Sequence, residues 1–404
     1  MQDIAAALPR HEPASGLFGG GLCDHLLFHA CYSSCFDDDG AARLAERTLS
    51  GVLERLDSRV PSVALFGGLA GAGWVFAHVL EADEEDAWGS RIDFVLADFL
   101  NRRPSPLQYD LVSGLVGMGV YALERRPHGS SEAMLATLLS ELEQLGERTR
   151  EGTKWHTAPV WLPEHERRVA PGGYENLGLA HGIPGIIGLL ARMVVAGVAV
   201  ERSRVLLEQA VEWLLAQKRP DWAGNCFAAW MAVDVEQEAR LAWCYGDPGV
   251  ALALYSAAGA LRRRDWRDEA IAIIMRAAAR PEQTAGVVDA GLCHGAVGLA
   301  HVFNRFFQAT GARALRDAAQ RWLHVGVNMR REGRGIAGFE TYSPAPSDEG
   351  AMPHPTAGRD ASSWRPDSSL LSGAVGIGLS LMAAISDDVP TWDRVMLMDV
   401  PADF

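Results

Sequence analysis

The stretch GDPGVALALYSAAGAL, residues 246–261, shows the pattern that decides the fold of this 404-residue chain. Two glycines, Gly246 and Gly249, stand three residues apart and are followed by an apolar run of helical length. A helix that is apolar almost all round is buried on every side. Glycine at the start of such a helix removes a Cβ where neighbouring helices crowd together. The stretch therefore predicts an inner helix of a closely packed helical fold.

The same signature, Gly-x-x-Gly before an apolar helical run, occurs seven times along the chain. The copies are Gly16–Gly19, Gly68–Gly71, Gly114–Gly117, Gly182–Gly185, Gly246–Gly249, Gly295–Gly298 and Gly373–Gly376. Each interval between copies fits two helices and their connections. Self-similarity at such a spacing is typical of architectures built from repeated supersecondary units.

The helices between the glycine motifs differ in character from those that follow the motifs. RVLLEQAVEWLLAQ (204–217) and RALRDAAQRWLHVGV (313–327) are amphipathic, with one polar face. An inner ring of apolar helices within an outer ring of amphipathic helices buries both kinds. The sequence therefore predicts an all-α fold, an α/α toroid or double-layered barrel of seven inner and seven outer helices. An open α-solenoid of the same hairpins is the alternative; closure is favoured because neither end resembles a polar cap.

The glycine motifs extend over nearly the whole chain, so we expect one toroid domain over residues 1–404. Residues 119–176 leave room for a small insertion. Residues 333–367 are rich in Pro, Gly, Ser and Asp and predict a long loop. Two further loops are predicted at residues 127–131 and 155–174.

Composition limits the partners and the compartment. The net charge of −14 argues against nucleic acid or an anionic membrane as the main partner, because both attract basic surfaces. The N-terminal sequence MQDIAAALPRHEP lacks the basic and apolar regions of a secretory signal. Six cysteines without such a signal indicate free thiols in a reducing compartment. We therefore expect a cytoplasmic protein that is not an integral membrane protein.

Side chains that precede successive glycine motifs are expected to meet, because equivalent positions of a closed toroid lie side by side around its axis. His181 directly precedes the fourth motif, and Cys244 lies two residues before the fifth. Cys293 and His294 directly precede the sixth motif, and Asp110 lies four residues before the third. Four consecutive repeats thus place two thiols, two imidazoles and a carboxylate at one end of the inner ring, which predicts a functional site.

Two of these thiols and one imidazole form a suitable ligand set for catalytic zinc. Such a site takes three protein ligands and leaves a fourth position for water or substrate. Cys244, Cys293 and His294 are the natural trio, and thiolate and imidazole ligands favour zinc over magnesium or calcium. The alternative is that the cysteines are inert residues of the core. Their common register with a histidine favours the metal.

Two further residues have open roles. His181 is a fourth ligand, a general acid/base or a core histidine, and its register with the trio favours the acid/base role. Arg240 lies four residues before Cys244, one turn back on the same face if that segment is helical. It orients a carboxylate or carbonyl, or it makes a surface ion pair.

Three motifs resemble those of a known family. NLGLAHGIPG (176–185), WCYGDPG (243–249) and GLCHGAVG (291–298) are similar to the signature motifs of the lanthionine synthetase C-like family, whose bacterial members are lantibiotic cyclases. The chain has no room for the dehydratase and kinase-like parts of the fused synthetases. The resemblance therefore implies a stand-alone cyclase.

The resemblance also implies roles for individual residues. It implies one zinc ion per chain held by Cys244, Cys293 and His294, with His181 as the active-site acid/base. It further implies active-site roles for Asp110 and Arg240. Trp243 and Tyr245 fall at aromatic positions that line the site in the family.

The implied substrate is a dehydrated precursor peptide with its leader, in which a Cys thiol adds to dehydroalanine or dehydrobutyrine to form a thioether ring. A dehydratase and a peptide exporter are candidate partners, and a biosynthetic complex could hold the protein at the inner face of the membrane. Addition of glutathione or another small thiol to dehydroamino acids is an alternative that uses the same zinc site. A further alternative is a non-catalytic peptide-binding scaffold with a structural zinc. Protein prenyl transfer is disfavoured, because the zinc sites of those enzymes include an Asp ligand and this trio has none.

Overall fold

The structure, a computed structural model, describes residues 1–13, 16–58, 62–80, 82–102, 107–219, 224–343 and 363–401. Helices make up most of it. The α-helices are α1 (Gln2–Ala7), α2 (Leu22–Phe36), α3 (Asp39–Ser58), α4 (Leu69–Val79), α5 (Ala82–Leu100), α6 (Leu115–Glu124), α7 (Gly129–Leu145), α8 (Glu164–Val169), α9 (Ile183–Val195), α10 (Val200–Ala216), α11 (Asp247–Leu261), α12 (Arg264–Ala279), α13 (Ala296–Thr310), α14 (Arg313–Asn328) and α15 (Ala374–Ile385). No helix in these ranges has both the length and the apolar character needed to cross a membrane.

The helices that follow the glycine motifs form a closed inner ring. Helix α2 packs against α4, α4 against α6, α6 against α9 and α9 against α11. The Tyr255 ring of α11 contacts the Phe306 ring of α13 edge to face, with 5.4 Å between centroids. Helix α13 packs against α15, and α15 returns to pack against α2. Contact between the first and last apolar helices closes the ring. The predicted α/α toroid is confirmed, and the open solenoid is excluded.

Most outer helices pack on the inner helix that precedes them in the chain. Helices α3, α5, α7, α10, α12 and α14 each contact their preceding inner partner. The last inner helix, α15, has no such partner. In the described residues it is followed by short 3₁₀ structure and not by a long outer helix. The N-terminal helix α1 contacts α15 instead. The layer outside the last inner helix is therefore supplied by the start of the chain.

Close packing requires the second glycine of the motifs that begin α4 and α6. A Cβ on Gly71 would lie 2.0 Å from the carbonyl oxygen of Leu65 and 2.7 Å from the Cβ of Phe18. A Cβ on Gly117 would lie 2.3 Å from the carbonyl oxygen of Leu111 and 2.8 Å from the Cβ of Leu65. Helices α4 and α6 thus start against their own incoming loops and against a side chain of the preceding repeat. The crowding that the sequence predicted is present in these repeats.

The first repeat begins later than its glycine pattern suggested. Helix α2 starts at Leu22, with Gly21 as its N-cap, so the motif at residues 16–19 lies in the loop before the helix. Asp24 occupies the place that the second glycine has in other repeats, and it is fully buried. Its carboxylate accepts hydrogen bonds from the N–H groups of Gly19 (2.7 Å) and Leu370 (3.0 Å). Because Leu370 belongs to the last repeat, Asp24 ties the two ends of the ring.

Short strands form a small layer at the side of the toroid. They are β1 (Glu147–Arg148), β2 (Thr153–Lys154), β3 (His156–Thr157), β4 (Tyr174–Asn176), β5 (Trp230–Ala232), β6 (Val235–Gln237), β7 (Thr341–Tyr342) and β8 (Trp364–Arg365). Strands β3, β4, β5 and β6 make one antiparallel sheet in that order. The Trp230 and Tyr174 side chains beneath the sheet form a separate apolar cluster, against which Tyr245 packs.

Parts of the regions predicted as loops contain regular secondary structure. The region 155–174, expected to be a loop, contains β3, a 3₁₀ turn and α8. The connection expected at 127–131 is shorter, since α7 begins at Gly129. Strands β1 to β4 lie within the expected insertion at 119–176, and β5 and β6 join them from beyond α10. Of the long loop at 333–367, residues 344–362 lie outside the described residues.

Replacing a motif glycine tests the packing of the inner ring. Gly71→Ala should lower the free energy of unfolding by about 2–4 kcal/mol, because its Cβ meets a backbone oxygen that cannot rotate away. Gly129→Ala is the control, since a Cβ there has no atom within 4 Å and would lie at the exposed start of α7. Chemical denaturation measures both. Equal stability of Gly71→Ala and the wild-type protein would contradict the packing argument.

Candidate metal centre and active site

The structure brings Cys244, Cys293 and His294 together at the mouth of the inner ring. One ligand atom from each lies within 4.8 Å of the others. Cys244 is buried, and the other two are partly exposed. The two loops that carry them are joined directly, because the Cys244 N–H donates to the Cys293 carbonyl at 3.4 Å. The three side chains that the sequence selected from two repeats therefore form one cluster.

The hydrogen bond between the two thiols shifts their pKa values in opposite directions. The hydrogen bond from Cys293 lowers the pKa of Cys244 well below its usual value, against the effect of burial and with help from His294 and Arg240. The same interaction, together with burial, raises the pKa of Cys293. The surroundings of Cys244 thus favour its thiolate, the form that binds a metal, and a bound cation would favour the thiolate of Cys293 as well. This donor set and its spacing fit zinc with three protein ligands.

His181 lies beside the cluster and is paired with Asp110 instead of joining the ligands. Its Nδ1 is 2.5 Å from an Asp110 carboxylate oxygen, which can only accept. Nδ1 therefore carries a proton, and Nε2 is the nitrogen left for exchange. Burial lowers the pKa of His181, but the hydrogen bond and charge of Asp110 outweigh it, and the pKa is raised. The imidazole side chain is 40% exposed, which leaves it accessible.

Asp110 is itself held from several sides. It is almost fully buried, and one oxygen accepts from the Ser113 N–H (2.8 Å) and hydroxyl (3.1 Å). The Gln108 amide donates to its other oxygen at 3.0 Å. These contacts fix the carboxylate that orients His181. The sequence argument missed Gln108 and Ser113, although both lie within three residues of Asp110.

Arg240 was expected to lie one helical turn before Cys244, but its segment has a different structure. Residues 238–246 are not helical, so the argument from one helical turn fails. Arg240 lies six residues before the first glycine of its motif. In four other repeats that position holds a side chain that accepts the N–H two residues further on: Ser62, Asn176, Asp289 and Asp367. Arginine cannot accept. Its positive charge instead adds to the lowering of the Cys244 pKa and opposes the rise of the Cys293 pKa.

The two aromatic residues beside Cys244 have different environments. The Tyr245 ring stacks near His181, with 6.2 Å between centroids, and its hydroxyl lies 3.4 Å from the Asn176 amide. Tyr245 is partly exposed at the site. Trp243 was expected to line the site, but it is 1% exposed. Its indole N–H donates to the Met396 carbonyl at 2.9 Å. It lies behind the cluster, in the interior.

Backbone hydrogen bonds join the loops before the inner helices into a ring, which we call the mouth ring. The N–H groups donate to the carbonyls of a neighbouring loop: Gly67 to Phe18, Phe66 to Val112, Leu111 to Ala180, Ala180 to Cys244, Cys244 to Cys293 and Cys293 to Leu371. Asp24 completes the ring by accepting from Leu370. The candidate site therefore stands on a continuous set of hydrogen bonds and not on isolated loops.

Comparison with known proteins agrees with the motifs and the fold. A family model described as "Lanthionine synthetase C-like protein" matches residues 20–343. The nisin biosynthesis protein NisC of Lactococcus lactis subsp. lactis is 24% identical over 290 residues, which cover 66% of this chain and 68% of that protein. The solved structure of a nisin cyclase has a TM-score of 0.75 and 20% identity, and the match covers 98% of this chain and 96% of that one. The resemblance inferred from three motifs is confirmed: the chain belongs to the lanthionine synthetase C-like family.

Proposed function

We propose that this protein is a zinc-dependent lanthipeptide cyclase. It forms lanthionine and methyllanthionine rings by adding peptide Cys thiols to dehydroalanine or dehydrobutyrine in a dehydrated precursor peptide. The observation that carries the proposal is the Cys244–Cys293–His294 cluster beside the Asp110–His181 pair, at one mouth of the toroid. The similarity to a nisin biosynthesis protein supports the same reaction.

Cys244, Cys293 and His294 hold one zinc ion per chain in this proposal. Within the described residues they are the one group whose ligand atoms converge in this way, and His181 is not part of it. Three protein ligands leave the fourth position for substrate. When bound, zinc lowers the pKa of a substrate thiol and so supplies the thiolate nucleophile at neutral pH.

His181, Asp110 and Arg240 supply a proton and stabilise charge during the addition. As the sulfur–carbon bond forms at Cβ, the electron pair of the double bond moves toward Cα and its carbonyl, and Cα must then gain a proton. His181 donates that proton from Nε2, because Nδ1 is committed to Asp110. The hydrogen bond and charge of the Asp110 carboxylate raise the pKa of His181 and so favour the protonated imidazole. The proton that the substrate thiol loses to solvent balances the one that Cα gains, and His181 is then reprotonated from solvent. Arg240 places positive charge near Cys244 and would there stabilise the developing enolate.

The surroundings suit a peptide substrate in the cytoplasm. Tyr245 and the exposed part of His181 offer a surface at the mouth for the peptide chain. All six cysteines are free thiols, as a reducing compartment requires. A dehydratase has to act first, since the reaction consumes dehydrated Ser and Thr residues. An exporter for the finished peptide is a further candidate partner.

Counting thiols tests the reaction. Purified protein incubated with a dehydrated precursor peptide should remove the free peptide thiols without changing the peptide mass, because addition within one chain conserves all atoms. A parallel sample with added glutathione reports the alternative as a mass gain of one glutathione per addition. Persistence of the peptide thiols with no mass change would contradict both reactions.

Zinc content tests the metal centre. Metal analysis of the wild-type protein should find about one zinc ion per chain. Cys244→Ala and Cys293→Ala should each lose the metal and the activity while keeping their helicity. Cys23→Ala, which removes a buried thiol outside the cluster, should retain zinc. Global unfolding of the cluster variants would indicate a structural zinc site instead.

One variant separates the roles of His181. His181→Asn should retain zinc yet slow ring formation by about 10²–10⁴-fold, the usual range for a positioned acid or base. His324→Asn, on the outer helix α14, is the control and should behave as wild type. Loss of zinc from His181→Asn would make it a ligand. Unchanged ring formation would remove His181 from the mechanism.

A further inference from the structure

Residues 392–398, near the end of the chain, lie inside the inner ring and have no part in the chemistry described above. They comprise a 3₁₀ helix, Trp392–Met396, followed by Leu397 and Met398. All are buried except Arg394, whose side chain is 41% exposed. Leu397 lies against Gly188 of α9, where a Cβ would come within 3.1 Å of it. We call these residues the axial segment.

The axial segment is bound to the helix that follows two of the metal ligands. The Asp393 carboxylate is 2.9 Å from Nε2 of His301 and 3.1 Å from Nε of Arg305. All three side chains are at most 5% exposed, so the ion pair between Asp393 and Arg305 is weakly screened. His301 and Arg305 belong to α13, which begins directly after Cys293 and His294. The sixth repeat is thereby fixed to the axial segment.

The segment also binds the two helices that follow the acid/base pair. The Arg192 guanidinium of α9 donates to the Arg394 carbonyl at 2.6 Å. The Arg394 guanidinium donates to Glu124 of α6 at 2.7 Å. Helix α9 begins after His181, and α6 begins after the loop that carries Asp110. The third and fourth repeats are therefore fixed to the same segment.

A direct contact reaches the remaining ligand loop. The Trp243 indole N–H donates to the Met396 carbonyl, and Trp243 is the residue before Cys244. The four repeats that supply the site residues thus all contact one short segment on the axis.

We propose that the axial segment is a positioning element for the metal centre, and that Trp243 is the positioning residue through which it fixes Cys244. This inference rests on the zinc site of the proposed function, but it makes a separate claim about what holds the ligands in place. Groups that orient a metal ligand without touching the metal alter its affinity by about 10–100-fold when removed. The hydrogen bond from Trp243 to the Met396 carbonyl is expected to orient Cys244 in this way, because Trp243 adjoins Cys244 in the chain.

Two Trp→Phe variants isolate that hydrogen bond. Trp243→Phe removes the indole N–H that binds Met396, together with part of a buried ring. Trp322→Phe removes the same atoms from a residue that is also 1% exposed and whose indole N–H makes no hydrogen bond in the structure. We expect zinc-loaded Trp243→Phe to release zinc to a chromophoric chelator about tenfold faster than wild type. Trp322→Phe should release zinc at the wild-type rate, although it too loses stability because part of a buried ring is removed.

A second pair of variants changes partly exposed arginines and tests the same proposal if Trp243→Phe does not fold. Arg394→Met removes the ion pair with Glu124, and Arg330→Met removes one with Asp3; the two arginines are 41% and 46% exposed. Arg394→Met should speed zinc release by about two- to fivefold, the range for a partly exposed ion pair. Arg330→Met should have no effect.

The outcomes are distinct. Equal zinc release from Trp243→Phe and Trp322→Phe, or from Arg394→Met and Arg330→Met if only that pair folds, would overturn the positioning role. The proposed function would stand in that case, provided that the wild-type protein holds zinc and closes rings. A wild-type protein without zinc would contradict the proposed function and this inference with it.

Discussion

The structure depends on the close contact between each inner helix and the loop that leads into it. Each motif glycine lets a helix start against a backbone carbonyl, as Gly71 does against Leu65. The loops are thereby brought near enough to exchange the hydrogen bonds of the mouth ring. Because a ring has no free edge, its two ends must also bond, and the buried Asp24 carboxylate does this where a glycine stands in other repeats. Burial raises the pKa of Asp24 to about 7, so the closure places a costly group in the interior.

The same ring explains why the site lies at the mouth. Loop residues just before the helices point toward neighbouring loops, whereas residues further along the helices pack against other helices. Side chains on adjacent loops can converge without distorting a helix, as those of Cys244 and Cys293 do. His181 and Asp110 come from the next two loops, so their distance from the cysteines is fixed by the hydrogen bonds that fix the loops. A shared backbone framework thus sets the geometry of the proposed metal site and of the proposed acid/base pair together.

The toroid and most residues of the candidate site could be predicted from the sequence, because the motif that indicates them is short and is repeated along the chain. The motif recurs with its glycines in register, which was enough to predict the toroid and to bring His181 and Asp110 into one place. Features that depend on contacts between distant parts of the chain were not predicted. Arg394 and Glu124 are 270 residues apart, and nothing periodic connects them. The direction of Trp243 was missed for the same reason, since its partner is 153 residues away.

The axis of the toroid presents a final constraint. A ring of seven helices encloses a central space, and the small residues that let the helices start close together at the mouth do not fill it further down. The chain uses its last described residues for this purpose, which also accounts for the missing long outer helix after α15. Filling the space with apolar side chains alone would hold the helices apart without fixing their angular positions. Asp393 adds directional contacts to His301 and Arg305, and Arg394 adds one to Glu124. Packing and orientation of the inner ring are therefore set from the same position on its axis.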